Sequence, residues 1–96
     1  MISNRIVAIC KIYGLRYNGV FDIWELSDGT EILSEEMYSH NILLLKSVTD
    51  LGDTSILRLQ WSPETEQQII QELIRSIKYY VAKQNASGSY SVNDGI

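Results

Sequence analysis

Ser62 to Gln84, SPETEQQIIQELIRSIKYYVAKQ, is the stretch that most constrains what this chain can fold into. Ile69, Ile70, Leu73, Ile74, Ile77, Tyr80 and Val81 recur at the spacing that lays one apolar stripe along a helix of about 3.6 residues per turn. Such a stripe needs a core to cover it. Ser62 is placed to accept from the free amides of the first turn, and Pro63 occupies the first helical position, where its missing N–H and fixed φ cost nothing. Thr65, rather than Glu or Gln, stands three residues after Ser62, which predicts a cap without the reciprocal capping box. Glu64 and Glu66 near the start and Lys78 and Lys83 towards the end suit the helix dipole.

The residues before this helix read as short strands. Ile6 to Tyr13, IVAICKIY, is β-branched and apolar on both alternating faces and is expected as a central strand. Gly14 then marks either a bulge or the start of a longer loop to Gly19, and Asn18-Gly19 has the chemistry of a tight hairpin turn. Val20 to Leu26 is expected as the second strand, Asp28-Gly29 as the next turn, and Thr30 to Leu33 as the third strand. Ser34 to Ser39 has a Ser cap and an acidic first turn, which predicts one turn of helix before His40. Ile42 to Val48 and Ser55 to Trp61 complete five strands, the last with Leu57, Leu59 and Trp61 on one face and Ile56, Arg58 and Gln60 on the other. The fold class that follows is α+β: a mainly antiparallel meander sheet of about five strands with one long C-terminal amphipathic helix packed across it. Residues 1–84 form a single domain in this reading, and 85–96, small, polar and without periodicity, a flexible tail.

Composition narrows the function classes. A chain of 96 residues has room for one domain, and its net charge of −4, with Lys and Arg dispersed along the chain, argues against nucleic acid as a partner. No apolar run approaches the roughly 20 residues that span a bilayer, and the opening residues lack the pattern of a secretory signal, so a cytoplasmic location without membrane attachment is expected. The single cysteine, Cys10, lies in an apolar run and is expected as a buried small side chain.

Candidates for chemistry are sparse. His40 is the only histidine, and it stands near Glu35 and Glu36 without the further ligands a zinc site requires. Asp50 and Asp53 bracket Gly52 but lack the order and the closing Glu of a calcium loop, and turn chemistry explains them. Asp22 beside Trp24 lacks an identifiable second carboxylate, and no glycine-rich phosphate loop is present. The expectation is therefore no cofactor, no metal and no catalytic set.

The aromatic residues point elsewhere. Trp, Tyr and Arg dominate binding hot spots, and Trp24, Tyr38, Arg75 and Tyr79 are read as partner-binding, on half-exposed strand and helix margins. In that reading Trp24 and Tyr79 matter more for contact than for folding. The expected function is a non-enzymatic interaction or regulatory module whose partner is another protein or a second copy, since one helix cannot cover both faces of a sheet. A ligand-binding protein or enzyme with a pocket between sheet and helix, with Asp22, Glu25 or His40 at its mouth, is the first alternative. An acidic inhibitor of a nucleic-acid-binding protein, presenting Asp22, Glu25, Glu31, Glu35 and Glu36 together, is the second.

Overall fold

The computed structural model describes residues 3–38 and 41–94, with side chains described as far as residue 86. Five strands and two helices follow in the order α1 (Asn4–Ile12), β1 (Arg16–Asn18), β2 (Ile23–Glu25), β3 (Glu31–Glu35), β4 (Ile42–Val48), β5 (Thr54–Gln60) and α2 (Glu66–Asp94). The strands form one antiparallel sheet in simple sequence order, so the α+β meander with a long C-terminal helix stands.

The strand expected over Ile6 to Tyr13 is the helix α1, and the first strand is the short Arg16–Asn18 instead. Ser3 caps α1 by accepting from the Ile6 amide. At the other end Gly14 takes φ +83°, its N–H bonds the Lys11 carbonyl at 3.1 Å, and the Leu15 N–H bonds the Cys10 carbonyl at 2.9 Å. That pair of bonds is a Schellman motif, so Gly14 is neither a bulge nor a loop start but the left-handed residue that ends a helix. Ile6 and Cys10, one turn apart, are fully buried, whereas Ala8 and Lys11 face water and Ile12 is 74% exposed.

Three smaller expectations also change. The second strand is confined to Ile23–Glu25, because Val20 to Asp22 belong to the turn, where Val20 donates to the Asn18 side chain at 3.0 Å. Ser34 and Glu35 end β3 instead of opening a helical turn; Ser39 and His40 lie outside the described residues. Thr65 completes the capping box despite being neither Glu nor Gln: its hydroxyl accepts from the Ser62 amide at 2.8 Å, while its own amide reaches the Ser62 hydroxyl at 3.3 Å. The helix does not stop at Gln84; its backbone continues through Asn85 and Ala86 to Asp94.

Both helices lie on one face of the sheet. Register carries Tyr17, Trp24, Leu33, Leu45 and Leu57 across the strands as one row, with Leu43 and Leu59 in the next. Of these, Trp24, Leu33, Leu43 and Leu45 join Ile6 and Cys10 of α1 and Ile69, Ile70, Leu73, Ile77 and Tyr80 of α2 in one core, with Leu57 and Leu59 packed against it, whereas Tyr17 is 51% exposed. The helix starts are tied together, because the Ser3 hydroxyl donates to Glu66 and Arg5 reaches Gln67 at 3.2 Å. Further along, Arg75 pairs with Asp50 in the β4–β5 turn at 2.8 Å and Gln84 reaches Ser27 in the β2–β3 turn at 3.3 Å, two turns at the same end of the sheet, so α2 passes from the β4–β5 turn towards the β2–β3 turn along that end.

Candidate functional site

The opposite face is composed by the alternate residues of the same strands. Asn18, Ile23, Ser34, Leu44 and Arg58 form one row in register, and Lys46 with Ile56 begins the next. The core residues of α1 and α2 pack against the row of Leu33 and Leu45 instead, while the Lys46 ammonium lies 5.6 Å from the Tyr80 ring of α2. Ile23, Ile42 and Leu44 are half-buried and Ile56 is 60% exposed, whereas Ile32 is 1% exposed. A shallow groove of about 300 Å³ runs between Ile32, Ser34, Leu44, Lys46 and Ile56. Its rim is polar, with Arg58 bonded to Glu36 at 2.7 Å.

Antiparallel order brings the β1–β2 and β3–β4 turns to the same end of this sheet, since Ile23 at the start of β2 is registered with Ser34 near the end of β3. Val20 and Phe21 in the first turn and Met37 and Tyr38 in the second are all exposed, Tyr38 at 91%. Four large apolar or aromatic side chains in water at one end, adjoining a half-exposed apolar face, exceed the scattered exposure usual on a monomer surface.

The structure does not bring the four sequence-predicted contact residues together. Trp24 is 7% exposed and belongs to the core on the helix side, with its ring 5.3 Å from that of Tyr17 and tilted by 50°. It is therefore not at a half-exposed margin, because the row that pairs it with Leu33 is the row α1 and α2 cover. Tyr38 stands at the loop end, while Arg75 is held by Asp50 and, at 4.0 Å, by Glu72. Tyr79 is half-buried and meets Tyr80 edge-on at 5.0 Å. Burial, and then the neighbouring Tyr79, push the Tyr80 hydroxyl above its ordinary pKa; it donates to the Ser47 carbonyl at 3.4 Å.

A second concavity lies on the helix side, where α1 stands off from β1 to β3. It measures about 400 Å³ and is lined by Val7, Lys11, Tyr17, Asp22, Trp24 and Glu35. Of the residues the sequence placed at the mouth of a sheet–helix pocket, Asp22 is here; Glu25 instead faces Arg16 at 3.8 Å, and His40 lies outside the described residues. Val7 and Lys11 were hidden by the reading of their segment as a strand. Glu35 was hidden by the expected helical turn.

Among the described residues no group of three or more His, Cys, Asp and Glu side chains is placed to hold a metal ion, and no helix is long and apolar enough to cross a membrane. Cys10 is sealed in the core, where burial raises its thiol from 9.0 to about 12. A thiol held so far from its thiolate is a packing residue, not a nucleophile. Comparison of the chain with protein-family models, with curated proteins and with solved structures finds no match.

Proposed function

We propose that the protein is a non-enzymatic interaction module that pairs through the helix-free face of its sheet, with a second copy of the chain as the partner. One observation carries this reading: both helices lie on one face, and the other presents Ile23, Ile42, Leu44 and Ile56 half-buried or exposed. Two such faces suit one another, since apolar sheet faces pack about 10 Å apart in aligned sandwiches and a two-fold contact needs only one self-complementary patch.

Size sets the strength of the contact. Four strands about 4.8 Å apart, each with about six residues at some 3.3 Å, make a face of roughly 400 Å². That is about half of the roughly 800 Å² that each partner contributes to a standard interface. The exposed Phe21, Met37 and Tyr38 at the end of the face extend it. The pairing is thus reversible and concentration-dependent, in the manner of regulatory rather than permanent assemblies.

The acidic-inhibitor reading has less support. Glu25 faces Arg16 and Glu36 pairs with Arg58, so two of the five carboxylates that a mimic of nucleic acid would present are set against cations of the same chain. Light scattering over a concentration series tests the proposal. Mass rising towards the dimer in the native chain, and staying at the monomer in Ile56→Glu with an unchanged melting curve, is the expected result. Monomer mass throughout, in both chains, contradicts it.

A further inference from the structure

The two edges of the sheet differ. β1 is three residues long, and its Arg16 is set against Glu25 of β2. β5 is seven residues long, is registered with β4 from Thr54 to Gln60 without a break, and among the described residues has no strand on its other side. α2 packs over β4 and β3, which leaves β5 outermost. Native sheets blunt long edges with proline, a bulge or charge. β5 has neither proline nor bulge, and its one charged residue, Arg58, is turned inward. The Arg58 guanidinium donates to one oxygen of Glu36, just past the end of β3, at 2.7 and 3.0 Å, and is thereby drawn back across β4.

Alternation fixes which backbone groups the edge offers. The Trp61 amide bonds the Asn41 carbonyl at 2.6 Å and the Thr49 amide bonds the Asp53 carbonyl at 2.8 Å, so the odd-numbered residues of β5 turn their N–H and C=O towards β4. Thr54, Ile56, Arg58 and Gln60 turn theirs outward. The Gln60 carbonyl accepts from the Thr65 hydroxyl at 2.9 Å, which closes that end of the edge. Thr54, Ile56 and Arg58 remain as an open row of donors and acceptors.

Such a row is complementary to its own copy turned about a two-fold axis. Side chains then select the register. An axis at Arg58 sets two guanidinium groups against each other, and an axis at Leu57 pairs Thr54 with Gln60, whose carbonyl is engaged. An axis at Ser55 carries Arg58 past the strand to Gly52 in the turn. An axis at Ile56 sets Ile56 against Ile56 and Thr54 against Arg58, uses the whole open row and leaves Gln60 alone.

We propose that two copies of the chain join antiparallel through their β5 edges with the axis at Ile56, by about six backbone hydrogen bonds, so that one sheet runs through both. The pairing faces of the two copies then continue into each other across Ile56, as a surface about twice the roughly 400 Å² of one chain. The edge contact does not rest on face pairing. The two surfaces are different, one chain can make both contacts, and either can fail alone.

Ile56 belongs to both surfaces, so the variants are placed at Thr54, which is exposed and first in the strand. The experiment is amide hydrogen exchange of the full chain by nitrogen-15 NMR, from dilute protein to about 1 mM. Only the unpaired fraction exchanges, and Ile56 and Arg58 are expected to slow at least about threefold at the highest concentration. Ser55, Leu57 and Leu59, bonded to β4 throughout, are expected to keep their rates. Face pairing makes no bond to these amides and cannot give that alternation. Thr54→Pro removes an outward N–H without touching the β4 ladder and is expected to weaken the association at least about fivefold. Thr54→Lys, opposite Arg58, is expected to weaken it about fivefold and Thr54→Glu to tighten it about threefold. General repulsion between chains of net charge −4 acts in the opposite sense for both variants, so the signs report the register. Rates at Ile56 and Arg58 that do not depend on concentration overturn the proposal and leave the edge to an extended segment of another protein. Slowing that responds equally to Lys and Glu at position 54 also overturns it. Should Thr54→Pro fail to fold, the two charge variants still decide.

Discussion

Trp24 shows at the scale of a residue how a functional expectation turns into a structural one. A tryptophan in a strand with Asp22 and Glu25 as neighbours reads as amphipathic and accessible, but its register with Leu33 puts it under the helices, 7% exposed. Trp24→Ala is therefore expected to cost about 3–5 kcal/mol, the range for deleting a large buried ring, as measured by urea unfolding. A loss below about 1 kcal/mol would return Trp24 to the surface role. Cys10 supplies a second expectation, in pH. Its pKa is higher folded, about 12, than in the exposed chain, near 9.0, so its contribution to stability is complete below pH 9 and is lost as pH rises towards 12. Tyr80, also raised by burial, acts in the same direction. Unfolding at stepped pH should show a decline that begins near pH 9 and is shallower in Cys10→Ala, and native Cys10 should resist thiol reagents at neutral pH. An identical alkaline slope in the two proteins contradicts the assignment to Cys10.

Elements were legible where pattern and punctuation agree. The sequence of α2 combines an apolar stripe, a Ser-Pro start and a charge gradient, and β4 and β5 have strand length with turn residues between them. The segment of α1 has no such agreement: Ile6, Val7, Ile9 and Cys10 satisfy the strand period and the helical period at once, and short apolar runs do not choose between them. Ser3 three residues before Ile6, with Gly14 after Tyr13, was the available signal, since a Ser cap and a left-handed glycine bracket one short helix. The Ser62–Thr65 pair was legible only in half, because a threonine hydroxyl can replace the longer Glu or Gln when the backbone holds it close. Each hydroxyl serves the other's amide, so Ser62→Ala and Thr65→Ala are each expected to lose about 1 kcal/mol and the double variant less than the sum. Full additivity in thermal unfolding would mean that the two bonds act separately.

For the whole molecule, a sheet in sequence order with helices before and after it follows from short hairpin connections, and that order was readable without any tertiary information. The location of the first helix was not, and it matters most for function. Had Ile6 to Tyr13 been a strand, the sheet would have had a single helix on it and no cleft. As a helix, it joins α2 on one side, leaves the other side bare and opens the space in which Lys11 faces Tyr17 and Glu35. The candidate cleft was thus beyond the sequence, whereas the bare face was foreseeable from the count of helices against sheet faces. Its residues on β5, Ile56 and Arg58, were already placed on one side by alternation.

The pairing face is tested most directly by a dilution series of methyl-labelled protein observed by NMR. Self-association through the face predicts that the methyl signals of Ile23, Ile42, Leu44 and Ile56 move with concentration while those of Leu33, Leu43 and Leu45, sealed beneath the helices, stay fixed. Signals that do not move at any concentration, or that move on the helix side alone, would contradict it.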